Sequence, residues 1–182
     1  MTVNGLELDI SGIRDVKGAS VEAELSGRVG PIVAGGEKVN INKPVSARVV
    51  ATNTGSRILV SGEVAATIGL TCNRCMEPFA LNVATAFERE YRQAYQVRGG
   101  DGVARVAGGE DAAEIYHGDA INLRPAVEES ISLAIPIKVL CREDCKGLCP
   151  ECGRNLNLGP CGCEKEPDFR LAPLAELLRK EK

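Results

Sequence analysis

The cysteines carry the most specific chemistry in this 182-residue sequence. Six of the eight lie in residues 141–163, and at the centre of that stretch is the run Cys149-Pro150-Glu151-Cys152-Gly153. A Cys-x-x-Cys pair followed by glycine is typical of a metal knuckle, because glycine tolerates the positive φ that the tight turn needs. Eight thiols are the number that two four-sulfur zinc sites require. The predicted zinc ligands are Cys72, Cys75, Cys141, Cys145, Cys149, Cys152, Cys161 and Cys163.

Four interpretations compete for these thiols, and structural zinc fits best. Four tetrahedral thiolates leave no open coordination position, so such a site stabilises a fold without doing chemistry. An iron–sulfur cluster also takes four cysteines, but the Cys-Pro-x-Cys-Gly knuckle favours a single metal ion. A thioredoxin-like redox pair needs a βαβ setting, which the strand signals around Cys72 and Cys75 do not provide. Free structural thiols are the fourth interpretation.

The pairing of the cysteines stays open at the level of sequence. The last four, from Cys149 to Cys163, are close enough to form one local site, which leaves Cys141 and Cys145 to join Cys72 and Cys75. The alternative is a two-knuckle ribbon in which Cys72 and Cys75 share a metal with Cys149 and Cys152. Local closure loses less chain entropy, so we prefer the first arrangement.

No catalytic constellation accompanies the cysteines, so we expect no enzyme. The chain has one histidine, His117, and lacks both the Gly-x-Ser-x-Gly and the His-Glu-x-x-His pattern. His117 is a weak candidate for a metal ligand because cysteines already fill two sites. Glu128 and Glu129 are adjacent on a predicted helix and point to different faces, so we interpret them as solvated acids.

Composition and charge argue against a disordered, a membrane-spanning and a general nucleic-acid-binding protein. Hydrophobic residues make up 44% of the chain, which argues against wholesale disorder. No run of roughly 20 apolar residues is present, and the first ten residues do not resemble a signal peptide. We therefore expect a cytoplasmic protein without membrane contact, in which reduced thiols favour metal over disulfides. The net charge of −3 argues against a general nucleic-acid binder, although residues 28–74 hold six bases against two acids.

Strands must position the cysteines. Alternating apolar residues predict strands near residues 6–10, 21–29, 45–50, 57–68 and 79–91, with turns at 35–38 and 53–56. Short strands at such intervals favour an α+β fold with an antiparallel, sandwich- or barrel-like sheet. Cys72 and Cys75 fall in the turn between the last two strands, where a rigid hairpin would present them.

The remaining elements lie between and after the strands. Residues 96–120 are acidic and glycine-rich, and we predict a loop there. A helix is predicted over about 124–135, with Pro125 in its first turn and Pro136 after its end. We divide the chain into a β-rich domain, 1–136, and a Cys-rich metal-binding segment, 137–182, which packs on the first and ends in a short amphipathic helix over 169–182.

Residues 140–157, which contain the knuckle, resemble the C-terminal signature of the YceD family of large ribosomal RNA subunit accumulation proteins. Three upstream features agree in order. They are the run 72–79 (Cys-Asn-Arg-Cys-Met-Glu-Pro-Phe), the acidic stretch, and residues 128–136 ending in Leu-Ala-Ile-Pro. The resemblance implies a bacterial or plastid-type factor that supports accumulation of large-subunit ribosomal RNA in ribosome assembly without catalysis.

Two functions of different classes follow. The first is an assembly factor that binds ribosomal RNA or a large-subunit precursor particle. The second is a zinc-stabilised adaptor that binds a protein, for example a ribosomal protein, without touching RNA; a thiol redox sensor is a weaker third. No small-molecule substrate is expected. The candidate phosphate contacts are Arg48, Arg57, Arg74, Lys146 and Arg154.

Overall fold

The computed structural model describes residues 2–34, 37–41, 43–94, 96–98, 104–106 and 113–163. These residues form twelve strands and one helix. The elements are β1 Thr2–Asn4, β2 Glu7–Asp9, β3 Ser20–Gly27, β4 Ile32–Ala34, β5 Glu37–Val39, β6 Val45–Asn53, β7 Ile58–Thr71, β8 Pro78–Gln93, β9 Gln96–Arg98, β10 Ala104–Val106, β11 Glu114–Tyr116, β12 Ala120–Asn122 and α1 Arg124–Ala134.

The central sheet has six strands in the order β1-β3-β6-β7-β8-β11. Its four inner strands pair antiparallel, as predicted, because short turns join β6 to β7 and β7 to β8. The two edge strands differ from the prediction, since β1 pairs parallel with β3 and β11 pairs parallel with β8. The sheet is therefore mixed. Neither edge strand pairs with a further strand of this sheet among the described residues, so both edges are open.

One face of this sheet forms the core. The predicted alternation of β8 is confirmed, because Val83 and Phe87 are buried while their even-numbered neighbours are exposed. Odd positions of β6 and even positions of β7 are buried on the same face. The helix α1 packs against β8 through this face with buried Val127 and Ile131. The opposite face of the sheet therefore carries the polar and small residues, and we call it the open face.

The two helix acids make contacts that were not predicted, although Glu129 is exposed to solvent as predicted. Because α1 begins at Arg124, Glu128 and Glu129 lie beyond its first turn. Each contacts a different neighbouring part of the chain. The Glu128 Oε1 atom accepts a hydrogen bond from the Gly30 backbone N–H at 2.8 Å. The Glu129 Oε2 atom lies 2.5 Å from Nη2 of Arg89 on β8. The pair therefore ties α1 to the chain before β4 and to the sheet.

Strands occupy part of the range predicted as an acidic loop, 96–120. The strands β9 and β10 pair antiparallel, β11 extends the central sheet, and β12 pairs with β2. These strands are only three residues long, too short for an alternation to be read in a glycine-rich sequence. The turn predicted at 35–38 is flanked by the β4–β5 pair, with Glu37 and Lys38 inside β5. Residues 35–36, 99–103, 107–112 and the helix predicted over 169–182 lie outside the described residues.

Replacing Gly62 with alanine is expected to destabilise the sheet by about 1–3 kcal/mol, because overpacking a core has that order of cost. Gly62 lies on the buried face of β7, where an added Cβ would sit 2.8 Å from both the Phe87 ring and a Val49 methyl group. Gly69 on the same strand has no atom within 4 Å of its Cβ position and provides the control. Urea unfolding of both variants checks the prediction, and equal midpoints would contradict it.

Candidate metal centres

The eight cysteines form two groups of four, each with all its Sγ atoms within 4.8 Å of one another. We call Cys72, Cys75, Cys141 and Cys145 the hairpin site, and Cys149, Cys152, Cys161 and Cys163 the local site. This is the grouping that loop entropy favoured, and the two-knuckle ribbon is not formed. His117 belongs to neither group, and its backbone forms an isolated bridge with Ala120.

The hairpin site joins two distant parts of the chain. Its first two cysteines lie at the tip of the β7–β8 hairpin, where the Cys72 N–H donates to the Glu77 carbonyl at 3.0 Å. The Met76 N–H donates back to the Cys72 carbonyl at 2.9 Å, and Met76 adopts a positive φ of 59°. The other two cysteines follow α1, and the Asn73 N–H donates to the Val139 carbonyl at 2.9 Å. A metal ion here would fasten the chain after α1 to the hairpin.

The sulfur spacing of the hairpin site fits a tetrahedral metal ion. The Sγ atoms of Cys72 and Cys145 lie 3.8 Å apart, and those of Cys75 and Cys141 lie 3.7 Å apart. Four sulfurs about 2.3 Å from a zinc ion stand about 3.8 Å from one another in a regular tetrahedron. All four are free thiols, and three are buried. The donor set, the spacing and the burial therefore suit a structural zinc ion.

Hydrogen bonds prepare two of these thiols for the thiolate form that binds metal. Burial alone would raise the pKa of Cys72, but backbone N–H groups, led by that of Cys141, lower this pKa to about 6. The pKa of Cys145 is lowered chiefly by the Asn157 side chain, whose Nδ2 lies 3.3 Å from the sulfur. Sequence reasoning missed Asn157, since its spacing from the cysteines does not distinguish it from other polar residues of the segment.

The local site is nearer the surface. Cys149 is buried, Cys161 is half-buried, and Cys152 and Cys163 are exposed. The knuckle turn closes through hydrogen bonds from the Gly153 N–H to the Cys149 carbonyl at 2.9 Å and from the Cys149 N–H to the Arg154 carbonyl at 2.8 Å. The backbone N–H of Cys152 is the largest of the influences that lower the pKa of Cys149 to about 7. All four ligands come from 15 residues, so this site organises its own segment.

Besides the bond from Asn157 to the Cys145 sulfur, further hydrogen bonds hold the segment of the local site against the hairpin site. The Leu148 N–H donates to the Arg74 carbonyl at 3.0 Å, and the Leu156 N–H donates to the Gly147 carbonyl at 2.9 Å. The Asn155 side chain donates to Glu77 Oε1 at 3.3 Å. The segment carrying the local site is thus bonded directly to the hairpin tip.

Replacing Gly147 with alanine is expected to loosen this connection. Gly147 has a φ of +75°, and an added Cβ would lie 2.9 Å from the Arg74 carbonyl oxygen. Gly153 has a φ of +71° but no atom within 4 Å of its Cβ position. Both alanine variants carry the left-handed penalty of about 1–2 kcal/mol, and only Gly147→Ala adds the clash with backbone.

Thermal unfolding and the rate of zinc release to a chelator measure the difference between the Gly147 and Gly153 variants. We expect Gly147→Ala to unfold at the lower temperature and to release zinc faster. Identical behaviour of the two variants would show that the close approach to Arg74 does not constrain the connection.

The five candidate phosphate contacts fall into two sets. Arg48 and Arg57 lie on the open face of the sheet, where they pair with Glu24 and Glu90 respectively. The other three lie where the two cysteine sites meet, and none forms an ion pair with an acid among the described residues. We call this second set the joint cations: Arg74, Lys146 and Arg154.

Comparison with known proteins connects these features to a family. The profile of the family described as "Large ribosomal RNA subunit accumulation protein YceD" matches residues 60–178. The chain belongs to the YceD family. The matched range includes all eight cysteines, the hairpin that carries two of them, and α1. No solved structure matches the chain.

Individual relatives of the YceD-family chain come from bacteria and plants. It is 32% identical over 124 residues to an uncharacterised protein of Mycobacterium tuberculosis, covering 68% of this chain and 57% of that protein. It is 29% identical over 153 residues to the maize "Large ribosomal RNA subunit accumulation protein YCED homolog 1, chloroplastic", covering 72% of this chain and 52% of the maize protein. The chain thus spans little more than half the length of these relatives. None of its described residues forms a helix long and apolar enough to cross a membrane.

Proposed function

We propose that this chain is a non-catalytic factor that supports accumulation of large-subunit ribosomal RNA during ribosome assembly. The observation that carries the proposal is the family match over residues 60–178. The names of the maize and Arabidopsis relatives support it, since both are described as large ribosomal RNA subunit accumulation proteins. A cytoplasmic location stays a prediction.

We further propose that zinc fills both cysteine sites and has a structural role. Four thiolates saturate a tetrahedral ion, so neither site would offer a position for substrate or water. Fourteen residues, 135–148, separate α1 from the local site, and Cys145 is the one residue among them that belongs to the buried hydrophobic set. Metal binding would therefore supply the free energy that orders this segment.

The joint cations are the best candidates for contact with RNA phosphates. Arg48 and Arg57 are weaker candidates because their guanidinium groups already pair with carboxylates on the open face. At the joint, three cations lie within a few residues of one another in space, since the backbone of Arg74 bonds to Leu148 and that of Arg154 bonds to Cys149.

Sedimentation tests the proposal. The tagged chain is run through sucrose gradients at low and high salt, and large-subunit ribosomal RNA is probed in every fraction. We expect the protein to co-migrate with immature large-subunit particles at low salt and to dissociate as salt rises, because phosphate contacts weaken with log salt. Migration at the top of the gradient under all conditions would contradict particle binding. Ribosomal RNA at normal levels in cells that lack the protein would contradict the function itself.

A second candidate function is a zinc-stabilised adaptor that binds a basic protein. The observation that favours it is an excess of acids at the centre of the open face, where Glu24, Glu63 and Glu88 lie near a single base, Arg48. Protein binding of this kind need not involve the joint cations, so substitution of those cations separates the two functions.

A further inference from the structure

No described element covers the centre of the open face of the central sheet. Ala65 on β7 lies directly opposite Ala84 on β8, and Ala86 lies opposite Glu63. All four residues are exposed. Small side chains on adjacent strands leave backbone and Cβ atoms as the surface, so another chain can approach the sheet closely there.

This face is concave. Two adjoining depressions of about 670 and 680 Å³ share Arg48, Glu63 and Ala86. The first extends across all four inner strands from Glu24 on β3, and the second continues along β6, β7 and β8 to Glu88. Together they form a shallow groove with a floor of alanine, serine and valine, which we call the open-face groove. Its length and openness suit an extended segment of chain.

The charge of the groove is acidic. Glu24, Glu63 and Glu88 line it, and Arg48 is its one base. The Arg48 Nη2 atom lies 3.0 Å from Glu24 Oε1, so this base is already paired. Glu63 and Glu88 form no ion pair among the described residues, although Arg48 lies opposite Glu63 in the β6–β7 register. With three acids against one base, a nucleic-acid backbone would meet a net negative charge in this groove, whereas lysine or arginine side chains would neutralise it.

We propose that the open-face groove binds an extended, lysine- or arginine-rich segment of a protein partner. The segment's backbone would lie on the small-residue floor, and its cations would pair with Glu63 and Glu88. The complementary charge gives the contact its specificity and speeds encounter. The hairpin tip, where the joint cations begin, is six residues further along β7 from Ala65, roughly 20 Å away at the rise of a strand. The groove and the joint can therefore be occupied together, and the proposal does not depend on RNA binding.

The test measures binding of a fluorescein-labelled (Lys-Ala)₆ peptide to the full chain loaded with zinc, by fluorescence anisotropy. A fluorescein-labelled (Glu-Ala)₆ peptide, measured in the same way without the first peptide, is the control for charge. We expect the double variant Glu63→Gln/Glu88→Gln to weaken binding by about five- to tenfold, as the loss of two partly exposed charge pairs would. Glu7→Gln/Glu143→Gln removes the same charge at exposed positions outside the groove and is expected to change the affinity less than twofold.

A third variant, Ala84→Arg, fills the floor and places a positive charge beside Glu63. We expect it to abolish peptide binding while the urea midpoint stays that of the parent, because residue 84 is exposed. Equal weakening by the two double-glutamine variants would show binding to net charge alone and overturn the proposal. Binding of the labelled (Glu-Ala)₆ peptide with the affinity of (Lys-Ala)₆ would also overturn it. A shift from dimer to monomer caused by Ala84→Arg would assign the groove to a second copy of this chain instead.

Discussion

Replacing Cys145 with serine is expected to release one of two bound zinc ions and to detach the segment after α1 from the hairpin tip. Cys145 is 1% exposed, and its sulfur lies 3.8 Å from that of Cys72 across the hairpin site. A structural zinc site supplies roughly 10–16 kcal/mol of apparent binding free energy in small zinc-folded peptides, which is large against the stability of a domain. Few buried apolar side chains would replace this energy once the metal is lost.

Amide hydrogen exchange reports the detachment residue by residue. The Asn73 N–H, bonded to Val139, and the Leu148 N–H, bonded to Arg74, are protected only while the segment lies against the hairpin. We expect both to exchange rapidly in Cys145→Ser. Amides at the centre of β7, such as that of Val60, stay protected because the inner strands do not depend on the metal.

The matched variant is Cys152→Ser, which removes an exposed ligand of the local site. It should also release one zinc ion, but the amides that lose protection should be those of Cys149 and Gly153, which close the knuckle. The Asn73 amide should remain protected. Loss of both ions from either variant, or unchanged exchange at Asn73 in Cys145→Ser, would show that the two sites are not independent in the proposed way.

The inner strands and the grouping of the cysteines were predictable because both depend on local pattern. Phe87 and Val83 share a parity on β8 that one buried face imposes, and a two-residue period is visible in any strand of this length. Likewise, four cysteines within 15 residues close a site with little loss of chain entropy, which leaves Cys72 and Cys75 for the other pair.

The features that sequence did not reveal depend on contacts between distant segments. The edge strands β1 and β11 pair in parallel with β3 and β8, which are distant in the chain. Each edge strand has only three residues, too few to show a two-residue hydrophobic period in the sequence. Glu129 looks solvated on a helix taken alone and is an ion-pair partner once Arg89 faces it. Arg48 likewise looks like a free base in a basic stretch, but the register of β3 and β6 places Glu24 opposite it.

Because Arg48 is paired with Glu24, we expect RNA binding to depend on the joint cations and not on Arg48. The triple variant Arg74→Gln/Lys146→Gln/Arg154→Gln is expected to weaken binding to large-subunit ribosomal RNA by roughly tenfold or more at about 0.1 M salt. Because each lost phosphate contact removes about 0.7 to 0.9 from the slope of log binding constant against log salt, the slope should become shallower by about 2 to 3. Filter binding across a salt series measures both quantities.

The control for this variant is Arg48→Gln/Arg57→Gln, which removes bases already paired with Glu24 and Glu90. It should leave the salt slope within about half a unit of the parent, since fewer than one phosphate contact would be lost. Zinc content must stay at two ions in both variants, so that an altered slope reports charge and not a detached segment. A triple variant with the parent slope would exclude the joint as the phosphate-binding surface. If the salt slope fell more in the control than in the triple variant, the phosphate-binding surface would be the open face. The proposal that the open-face groove binds a basic protein segment would then be contradicted.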